Sequence, residues 1–536
     1  MNNQKFFILT AIALSLFLLW DKWQIKQNPQ LTPQNNSQNV VNATDATLGN
    51  GDIPSVVSNN TDIPSIGQSL PTSSKATIRV VTDLLDLTIN ENSSIVGAKL
   101  LSYPSELGSS SFVELLANDN NKFFIVEGGL APKGLMPTHL AKWQVPNSEY
   151  QLSGNTLRVP FVWENNGIKV TKNFIFERNS YVVKVDYNVE NNTNQDINIL
   201  SYNRLNRHKL DQHSMMMPTF SGGANFNDEQ IYNKFDFDDF GDGNNLNTKG
   251  GWGGLVEHYF LAAIIPNQNS KNNFKTKISG NNYVLSNTGA TLVIPANSSK
   301  VVDSADFYIG PKEKDRISAA VAGLDHTVDY SWLYIIAMPL AEVLYWIFSL
   351  VGSWGLAIIL LTILIKLVFY KLSEKSYQSM AGMRKLAPRL ESLKATYGDD
   401  KAKMGQKTME LYKEAKVNPA SGCLPILVQM PVFISLYWVL IEMVELRQTP
   451  FLYLPDLSAQ DPYYILPIIM GVSMFIQQKL NPKPSDPMQA KIMMALPFVF
   501  TIFFLFFPSG LVLYWVLNNI LSITQQWFIN KRIGAN

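Results

Sequence analysis

The sequence predicts a multi-domain membrane protein that joins an all-β domain outside the membrane to an α-helical polytopic bundle of six transmembrane helices. Three features predict this class: an apolar run near the N-terminus, a long region of short alternating runs separated by turn residues, and a series of apolar segments after Tyr330. Charge divides the chain at the same place. Residues 27–330 contain 23 Lys and Arg against 30 Asp and Glu, whereas the rest contains 21 against 13.

The N-terminal residues 1–23 predict an uncleaved signal-anchor helix. The run Phe6–Trp20 is uninterrupted and apolar, it follows a lysine, and the small residues that signal peptidase requires are missing after it. Removal of this segment as a signal peptide is the alternative. Residues 24–75 are rich in Asn, Gln, Ser, Thr and Pro. Such a composition has few apolar side chains to bury and predicts a flexible linker.

Residues 76–328 predict an all-β domain. The runs Leu157–Glu164, Ile168–Glu177 and Tyr181–Glu190 alternate apolar and polar residues and are rich in β-branched and aromatic side chains. Asn165-Asn166-Gly167 separates the first two runs, and an Asn-Gly step suits the positive backbone angles of a tight hairpin turn. We therefore interpret this region as a β-sandwich.

The C-terminal part of the chain predicts five further spans, each near the length that a spanning helix needs. They are Trp354–Leu372, Leu424–Val444, Tyr463–Leu480, Ile492–Phe507 and Leu511–Ile529. Segment 329–351 is also apolar, but Pro339 and Glu342 interrupt it, so we interpret it as an amphipathic helix on the outer interface. Lys371–Gly422 carries 11 Lys and Arg against 6 Asp and Glu, which predicts a cytoplasmic location. Both termini are then cytoplasmic, and the β-domain lies in a periplasm-like compartment.

The cytoplasmic segment 373–417 predicts an antiparallel helical hairpin. Gly398-Asp399-Asp400 divides it, with Asp as the expected N-cap, and Pro388 predicts a kink. A solvated charged linker is the alternative, but apolar residues at spacings of three and four give one arm a face to bury. These residues are Met380, Met383, Leu386, Leu390 and Leu393. The basic residues Arg384, Lys385 and Arg389, with the tail Lys531-Arg532, are candidates for electrostatic contact with nascent chains or ribosomes.

Lys366 is an ionisable residue inside a predicted span. Burial of a lysine in hydrocarbon costs about 3 kcal/mol or more unless water or a partner receives it. Thr362 lies one turn earlier on the same face, and Gln429 and Asn518 place amides in other spans. Together these residues predict a polar groove inside the bundle. Two alternatives remain: Lys366 snorkels to the cytoplasmic headgroups, and the amides only hold helices together.

The sequence offers little support for a metal, a cofactor or an enzyme. The single Cys423 excludes an intramolecular disulfide framework, a Cys-based zinc cluster and a CxxC centre. The five histidines lack a persuasive metal-ligand spacing, and the acidic run 236–244 does not match a calcium loop, so we interpret it as a solvated loop. No P-loop is present, and a net charge of +1 argues against a nucleic-acid binder.

The second half of the chain also carries a dense set of short motifs. They are Lys416-Val417-Asn418-Pro419, Gly422-Cys423-Leu424-Pro425, Gln429-Met430-Pro431, Val444-Glu445-Leu446-Arg447-Gln448, Asp456–Tyr464 and Phe507-Pro508-Ser509-Gly510-Leu511. This set resembles the YidC family of membrane-protein insertases. The anchor and the large outside domain resemble the Gram-negative branch of that family, so the similarity covers nearly the whole chain.

The resemblance implies a five-helix insertase core at 352–536 with a hydrophilic groove, and a periplasmic β-supersandwich. It places Lys366 in the groove, where many bacterial members carry arginine; lysine keeps the charge but lacks the bidentate fork. Thr362 and Tyr514 correspond to groove-lining positions, and Trp515 stands where a second tyrosine is common.

The implied function is a non-enzymatic insertase and chaperone of the bacterial inner membrane. It would insert, fold and assemble integral membrane proteins through the groove, alone or with the Sec translocon. The implied partners are nascent membrane proteins, the Sec translocon, the lipid bilayer and, as the weaker expectation, the ribosome. Two alternatives are a substrate-specific channel or secondary transporter in which Lys366 binds an anion, and a membrane-tethered carbohydrate enzyme built on the β-domain.

Overall fold

A computed structural model describes residues 77–119, 122–208, 219–229, 231–398, 400–415, 417, 424–481 and 487–532. The expected signal anchor at 1–23 and the expected linker at 24–75 lie outside these residues.

Among the residues that the structure describes, twenty strands form the β-domain. The first ten are β1 (Thr77–Val81), β2 (Leu85–Asn90), β3 (Ile95–Pro104), β4 (Phe112–Asn118), β5 (Phe123–Ala131), β6 (Glu149–Gln151), β7 (Thr156–Asn165), β8 (Ile168–Glu177), β9 (Val182–Asn191) and β10 (Ile197–His208). The others are β11 (Gly222–Phe226), β12 (Tyr232–Phe235), β13 (Asn245–Lys249), β14 (Trp252–Val256), β15 (Phe260–Ile265), β16 (Lys271–Ser279), β17 (Asn282–Thr288), β18 (Leu292–Ile294), β19 (Ser298–Asp303) and β20 (Asp306–Pro311).

These strands make two sheets that share one hydrophobic core. The larger sheet has eleven strands in the order β13-β16-β17-β10-β5-β4-β3-β2-β1-β6, with β18 paired to β10. The smaller has nine in the order β12-β11-β14-β15-β20-β9-β8-β7, with β19 paired to β9. Buried apolar residues from both sheets, such as Leu87 and Val185, lie in one continuous cluster. The prediction is therefore confirmed as a β-rich domain, and one α-helix, Lys314–Ala320, lies within the region expected to be all β.

The β7–β8 hairpin shows why the alternating runs could be identified. Asn165 pairs with Ile168, so the turn contains only Asn166 and Gly167, whose φ angles are 48° and 79°. Positive φ at both positions is the geometry that an Asn-Gly pair adopts at little steric cost. The register then follows, and β9 buries every second residue.

In the described ranges, ten α-helices follow or flank the sheets. They are α1 (Lys314–Ala320), α2 (Tyr334–Val351), α3 (Trp354–Val368), α4 (Tyr370–Lys385), α5 (Ala387–Tyr397), α6 (Lys401–Glu414), α7 (Leu424–Glu442), α8 (Ile465–Leu480), α9 (Pro487–Phe504) and α10 (Ser509–Arg532). Apolar residues of α2, α3, α7, α8 and α10 share a second hydrophobic cluster, which includes Leu361, Leu440 and Leu511.

The first predicted core span is wrong at its C-terminal end. A continuous helix was expected through Leu372, but α3 ends at Val368 and α4 leaves it at 65°. Charged residues follow at once, including Lys371 and Glu374, and they favour departure from an apolar layer. Lys366 consequently lies in the last turn of α3.

Length and composition select a different helix as the clearest candidate to cross a membrane. Among the described residues, Ser331–Val351 is the one helix that is both long and apolar enough, and the bent pair α3–α4 would be a second if it forms one span. Shorter apolar helices occur at Val428–Glu442, Ile465–Leu480 and Ala490–Phe504.

The described residues of segment 373–417, which is expected to be cytoplasmic, belong to three helices. The break between α4 and α5 lies at Leu386, beside the expected kink at Pro388. Asp400 accepts hydrogen bonds from the backbone amides of Ala402 and Lys403, as expected for an N-cap of α6. An ion pair of 3.8 Å joins Arg389 near the start of α5 to Glu414 at the end of α6, so these two helices run antiparallel.

The acidic run 236–244 is not a simple solvated loop, and that expectation is wrong. Phe237–Asp242 forms a 3₁₀ helix, and Phe237 and Phe240 are buried against Tyr283. The aromatic residues between the acidic ones explain the difference, because they contribute apolar surface to the core. Over the described ranges, no group of three or more His, Cys, Asp or Glu side chains is arranged to hold a metal ion.

Lys172 is a buried cation in the core of the β-domain. Its side chain is 2% exposed, and its ammonium donates to the carbonyl and the hydroxyl of Ser93 at 3.0 and 3.1 Å. The Phe174 ring centroid lies 4.7 Å away. In the part of the chain that is described, no carboxylate pairs with Lys172. Burial lowers the pKa of Lys172 to about 7, because the low-dielectric core disfavours its charged form.

This environment predicts that the stability of the β-domain rises between pH 7 and pH 10. The pKa of Lys172 is about 7 in the folded state and about 10.4 in the unfolded chain, so the unfolded chain binds more protons between these pH values. A rise in pH therefore disfavours the unfolded chain and increases the free energy of unfolding. Lys172→Met should flatten the rise, as measured by urea unfolding of the full chain with near-ultraviolet circular dichroism. Lys169→Met, at an exposed position of the same strand, should retain it. An unchanged slope in Lys172→Met would contradict the assignment.

Candidate functional site

The last turn of α3 presents Lys366 to the interior of the helical bundle. Thr362 lies one turn earlier and is 1% exposed, but its hydroxyl donates to the Ile358 carbonyl of its own helix at 2.6 Å. The half-buried Lys366 instead reaches another helix, because its ammonium donates to the Ser522 hydroxyl at 2.7 Å. Only one of the two polar side chains on this face is therefore directed across the bundle.

A chain of polar contacts extends from Lys366 across three helices. Ser522 donates to the backbone carbonyl of Asn518 at 2.7 Å, and the Asn518 side-chain oxygen accepts from the Gln429 amide. The Tyr377 hydroxyl of α4 also lies near Ser522. The structure thus brings together Lys366 on α3, Gln429 on α7 and Asn518 on α10.

A cleft opens beside this polar chain. Lys366 and Gln429 line it together with apolar residues of α3, α4 and α7, and Ser373 contributes a hydroxyl. The space around these residues measures about 270 Å³ including open solvent, and between the side chains it leaves room for about one water molecule. Over the described residues, no carboxylate forms an ion pair with Lys366. Its positive charge is therefore available to an anionic group that enters the cleft.

Tyr514 and Trp515 lie at the hydrophobic cluster of the helical bundle. Tyr514 is 1% exposed, and its ring stacks on Phe433 of α7 at a centroid distance of 6.1 Å. Trp515 belongs to an aromatic cluster with Phe433, Phe500 and Phe504, at centroid distances of 4.3, 6.1 and 4.9 Å. These two residues form an apolar wall next to the polar chain.

The expected contact residues of the cytoplasmic segment are in different environments. Lys385 and Arg389 are exposed, whereas Met380 and Met383 are half-buried. Arg384 is directed inward and donates to the Leu480 carbonyl at the end of α8. Arg384 therefore joins α4 to the bundle. Lys385 and Arg389, which are exposed, are the better candidates for contact with nascent chains or ribosomes.

Ser522 is one of several polar residues of the last predicted span that together suggest the groove, whereas Tyr377, which lies near it, was not selected from the sequence. Ser522 carries a weak signal, since it lies one turn after Asn518 on the same face of α10. Tyr377 carries none, because it belongs to a helix with no expected contact to the last span.

Comparisons with known proteins agree with this architecture. Residues 77–343 match a family model described as the YidC periplasmic domain, and residues 346–536 match one described as the 60Kd inner membrane protein. The membrane protein insertase YidC of Vesicomyosocius okutanii is 56% identical over 100% of both chains, and that of Ruthia magnifica is 55% identical over 100% of both. The chain belongs to the YidC family of membrane protein insertases.

Other YidC relatives are more distant. The insertase of Nitrosococcus oceani is 42% identical over 99% of each chain. A solved structure of an active YidC insertase with its first transmembrane domain resolved covers 84% of this chain and 92% of its own, at 20% identity and a TM-score of 0.39.

Family membership settles the location of the two main parts. The chain is a bacterial inner-membrane protein, and its β-rich domain is periplasmic. The helical part that carries Lys366 is the membrane part of a YidC protein. The polar chain therefore lies in the part of the chain that matches the inner-membrane family model.

Ser522 should restrain the Lys366 ammonium. Hydrogen bonds to charged groups contribute about 1.5–3 kcal/mol, so Ser522→Ala should raise the rate of acylation of Lys366 by a small amine reagent roughly tenfold or more. Peptide mass spectrometry of the full chain in lipid nanodiscs measures this rate. Thr524→Ala is the matched control, because Thr524 also bonds the carbonyl four residues earlier but is exposed. Equal rates in both variants would show that Ser522 does not hold Lys366.

Proposed function

We propose that this chain inserts, folds and assembles integral inner-membrane proteins through the cleft beside Lys366, alone or together with the Sec translocon. The observation that carries the proposal is an ammonium in the bundle interior that donates to the Ser522 hydroxyl and, among the described residues, has no carboxylate partner. The Gln429–Asn518 amide contact continues the polar chain next to it. Nascent membrane proteins are the substrates. The exposed Lys385 and Arg389 and the basic tail are the proposed electrostatic contacts for nascent chains and, more weakly, for ribosomes.

The role of Lys366 is transient attraction of a negatively charged flank of the client. A carboxylate at the centre of a spanning helix costs about 3 kcal/mol. Two opposite charges 4 Å apart attract by about 4 kcal/mol at an effective dielectric constant of 20. The two magnitudes are similar, so Lys366 can offset the cost of entry without trapping the client. A wet cleft also shortens the apolar distance that the flank must cross.

Burial of the client's own apolar helix supplies the net driving force. Each Å² of apolar surface removed from water contributes about 25 cal/mol, so a spanning helix gains far more than one charged flank costs. The proposed mechanism therefore needs no nucleotide, metal or other cofactor within this chain, and it makes the protein a non-enzymatic insertase and chaperone. The channel or transporter alternative has no support among the named relatives, which are insertases.

The proposed membrane architecture has six spans. We propose an anchor at 1–23, a linker at 24–75, a periplasmic β-supersandwich at 76–328, an interfacial helix at 329–351 and a five-helix core at 352–536 with a cytoplasmic hairpin at 373–417. Both termini are then cytoplasmic. The basic composition of the hairpin segment supports this orientation.

Contacts at the middle of α2 support its position on the periplasmic interface. Glu342 lies near the centre of α2 and forms an ion pair with Lys314, which belongs to α1 of the β-domain. The Lys314 ammonium also lies 4.9 Å from the Tyr345 ring centroid. A helix that crossed the bilayer would have its centre about 15 Å from either surface, beyond the reach of a periplasmic lysine.

The insertion proposal predicts a charge-specific defect. Liposomes with the purified chain should insert a single-span client that has an acidic outer flank, and Lys366→Glu should lower this insertion tenfold or more, because about 4 kcal/mol of attraction becomes repulsion. Lys366→Arg should retain activity. Lys371→Glu, at an exposed position of α4, is the matched control.

A second client with a neutral flank separates attraction from general damage. Its insertion should be nearly insensitive to Lys366→Glu. Equal loss with both clients would mean that Lys366 supports the fold of the core and not the charged flank.

The position of α2 predicts a labelling pattern. In a Cys423→Ser background, Trp332→Cys before α2 and Ser353→Cys after it should both react with a membrane-impermeant thiol reagent added from the periplasmic side. Reaction at Trp332→Cys alone, with Ser353→Cys reacting only after the inner membrane is opened, would show that α2 crosses the bilayer.

A further inference from the structure

A short segment after α7 is held by the β-domain. This junction segment, residues 442–448, contains the last residue of α7 and the turn that follows it. Val444 is fully buried and belongs to the hydrophobic cluster of the two sheets, not to that of the membrane helices. The outer end of a membrane helix thus contributes a residue to the periplasmic core.

A buried ion pair lies at the start of the junction segment. The Lys312 ammonium is 2.8 Å from the Glu442 carboxylate, and both side chains are 2% exposed. Lys312 also donates to the Thr327 carbonyl at 3.1 Å. Glu442 ends α7, where the helix dipole disfavours a negative charge. Glu442 therefore does not stabilise its own helix, and its burial depends on Lys312.

Further polar contacts fasten the same segment on several sides. Arg447 donates to the carbonyls of Pro104 and Ser105 at the end of β3, at 2.8 and 2.9 Å. Glu445 accepts from the Lys314 amide at 3.3 Å and from the Tyr345 hydroxyl of α2 at 2.7 Å. The segment thereby connects the β-domain, α2 and α7.

We propose that the Lys312–Glu442 ion pair fixes the outer end of α7 against the β-domain, and that these two residues act as positioning residues for the cleft. α7 also carries Gln429, thirteen residues before Glu442, which is about 20 Å along a helix. A displacement of one end of α7 is therefore transmitted to the Gln429–Asn518 contact. The effect on insertion rests on the proposed function, whereas the effect on the junction does not.

The physical basis is the asymmetry of buried ion pairs. Removal of one partner leaves an uncompensated charge and costs 3–5 kcal/mol, whereas replacement of both by apolar residues is often neutral. An unpaired charge at this position can regain water only if the junction segment moves away from the β-domain. Loss of one charge should therefore separate the two parts, and loss of both should not.

Hydrogen exchange of the full chain in nanodiscs tests the proposal. Lys312→Met and Glu442→Gln should each raise exchange at the amides of Met443, Leu446 and Arg447 by roughly a hundredfold or more, about 3 kcal/mol at 1.36 kcal/mol per tenfold. Exchange in β7–β9 should not change. The double variant Lys312→Met/Glu442→Leu should restore slow exchange at the junction.

A matched control is the exposed pair Lys184–Glu177 within the β-domain, whose loss should leave the junction unchanged. Insertion of the acidic-flank client, measured in parallel, should fall tenfold or more in the single variants and recover in the double variant. If the single variants do not accumulate, accumulation and normal insertion by the double variant would still support the proposal.

Three results would overturn it: junction exchange unchanged in the single variants, faster exchange throughout β7–β9, or faster junction exchange with normal insertion. Absence of insertion by the unaltered chain would instead contradict the proposed function and leave the exchange result valid.

Discussion

An ammonium among apolar helices must have polar partners, and the arrangement of the membrane part follows from this requirement. Ser522 receives Lys366, and α10 carries further buried polar residues, including Asn519 and Gln526, near Ser522. Asn519 donates to Ser473 at 3.1 Å, and Gln526 donates to the Leu480 carbonyl at 3.2 Å. α10 thus provides hydrogen-bond partners for polar groups on α3 and α8, which lipid could not provide.

The same requirement explains how α7 is held. Its interior is apolar, but Gln429 near one end is fixed by α10, and Glu442 at the other is fixed by the β-domain. Between these contacts the helix packs through rings such as Phe433 against Trp515. The polar contacts near its two ends therefore fix the position of α7 along its axis, and the contacts between them are apolar.

Local rules were sufficient to predict much of this fold. The Asn166-Gly167 turn, the N-cap at Asp400 and the alternation of β9 each depend on residues close in sequence. The bend at Phe369 was not predicted, because apolar content continues past the point where helical geometry stops. The 3₁₀ helix at Phe237–Asp242 was not predicted, because the acidic residues of this run suggested a solvated loop. The burial of Phe237 and Phe240 could not be read from the sequence.

The candidate site, like the fold, could be predicted from the sequence only in part. Lys366, Gln429 and Asn518 could be selected because a polar residue in an apolar segment is unusual, and the structure brings them together. The partners Ser522 and Tyr377 and the inward direction of Arg384 depend on which helices become neighbours. Lys312 and Glu442 are 130 residues apart in two different domains, and no local pattern connects them. During synthesis at 5–20 residues per second, Lys312 leaves the ribosome roughly 7 to 26 seconds before Glu442. The hydrophobic core of the β-domain therefore receives its last residue, Val444, only after α7 has been synthesised, so this domain cannot finish folding when its own strands are complete.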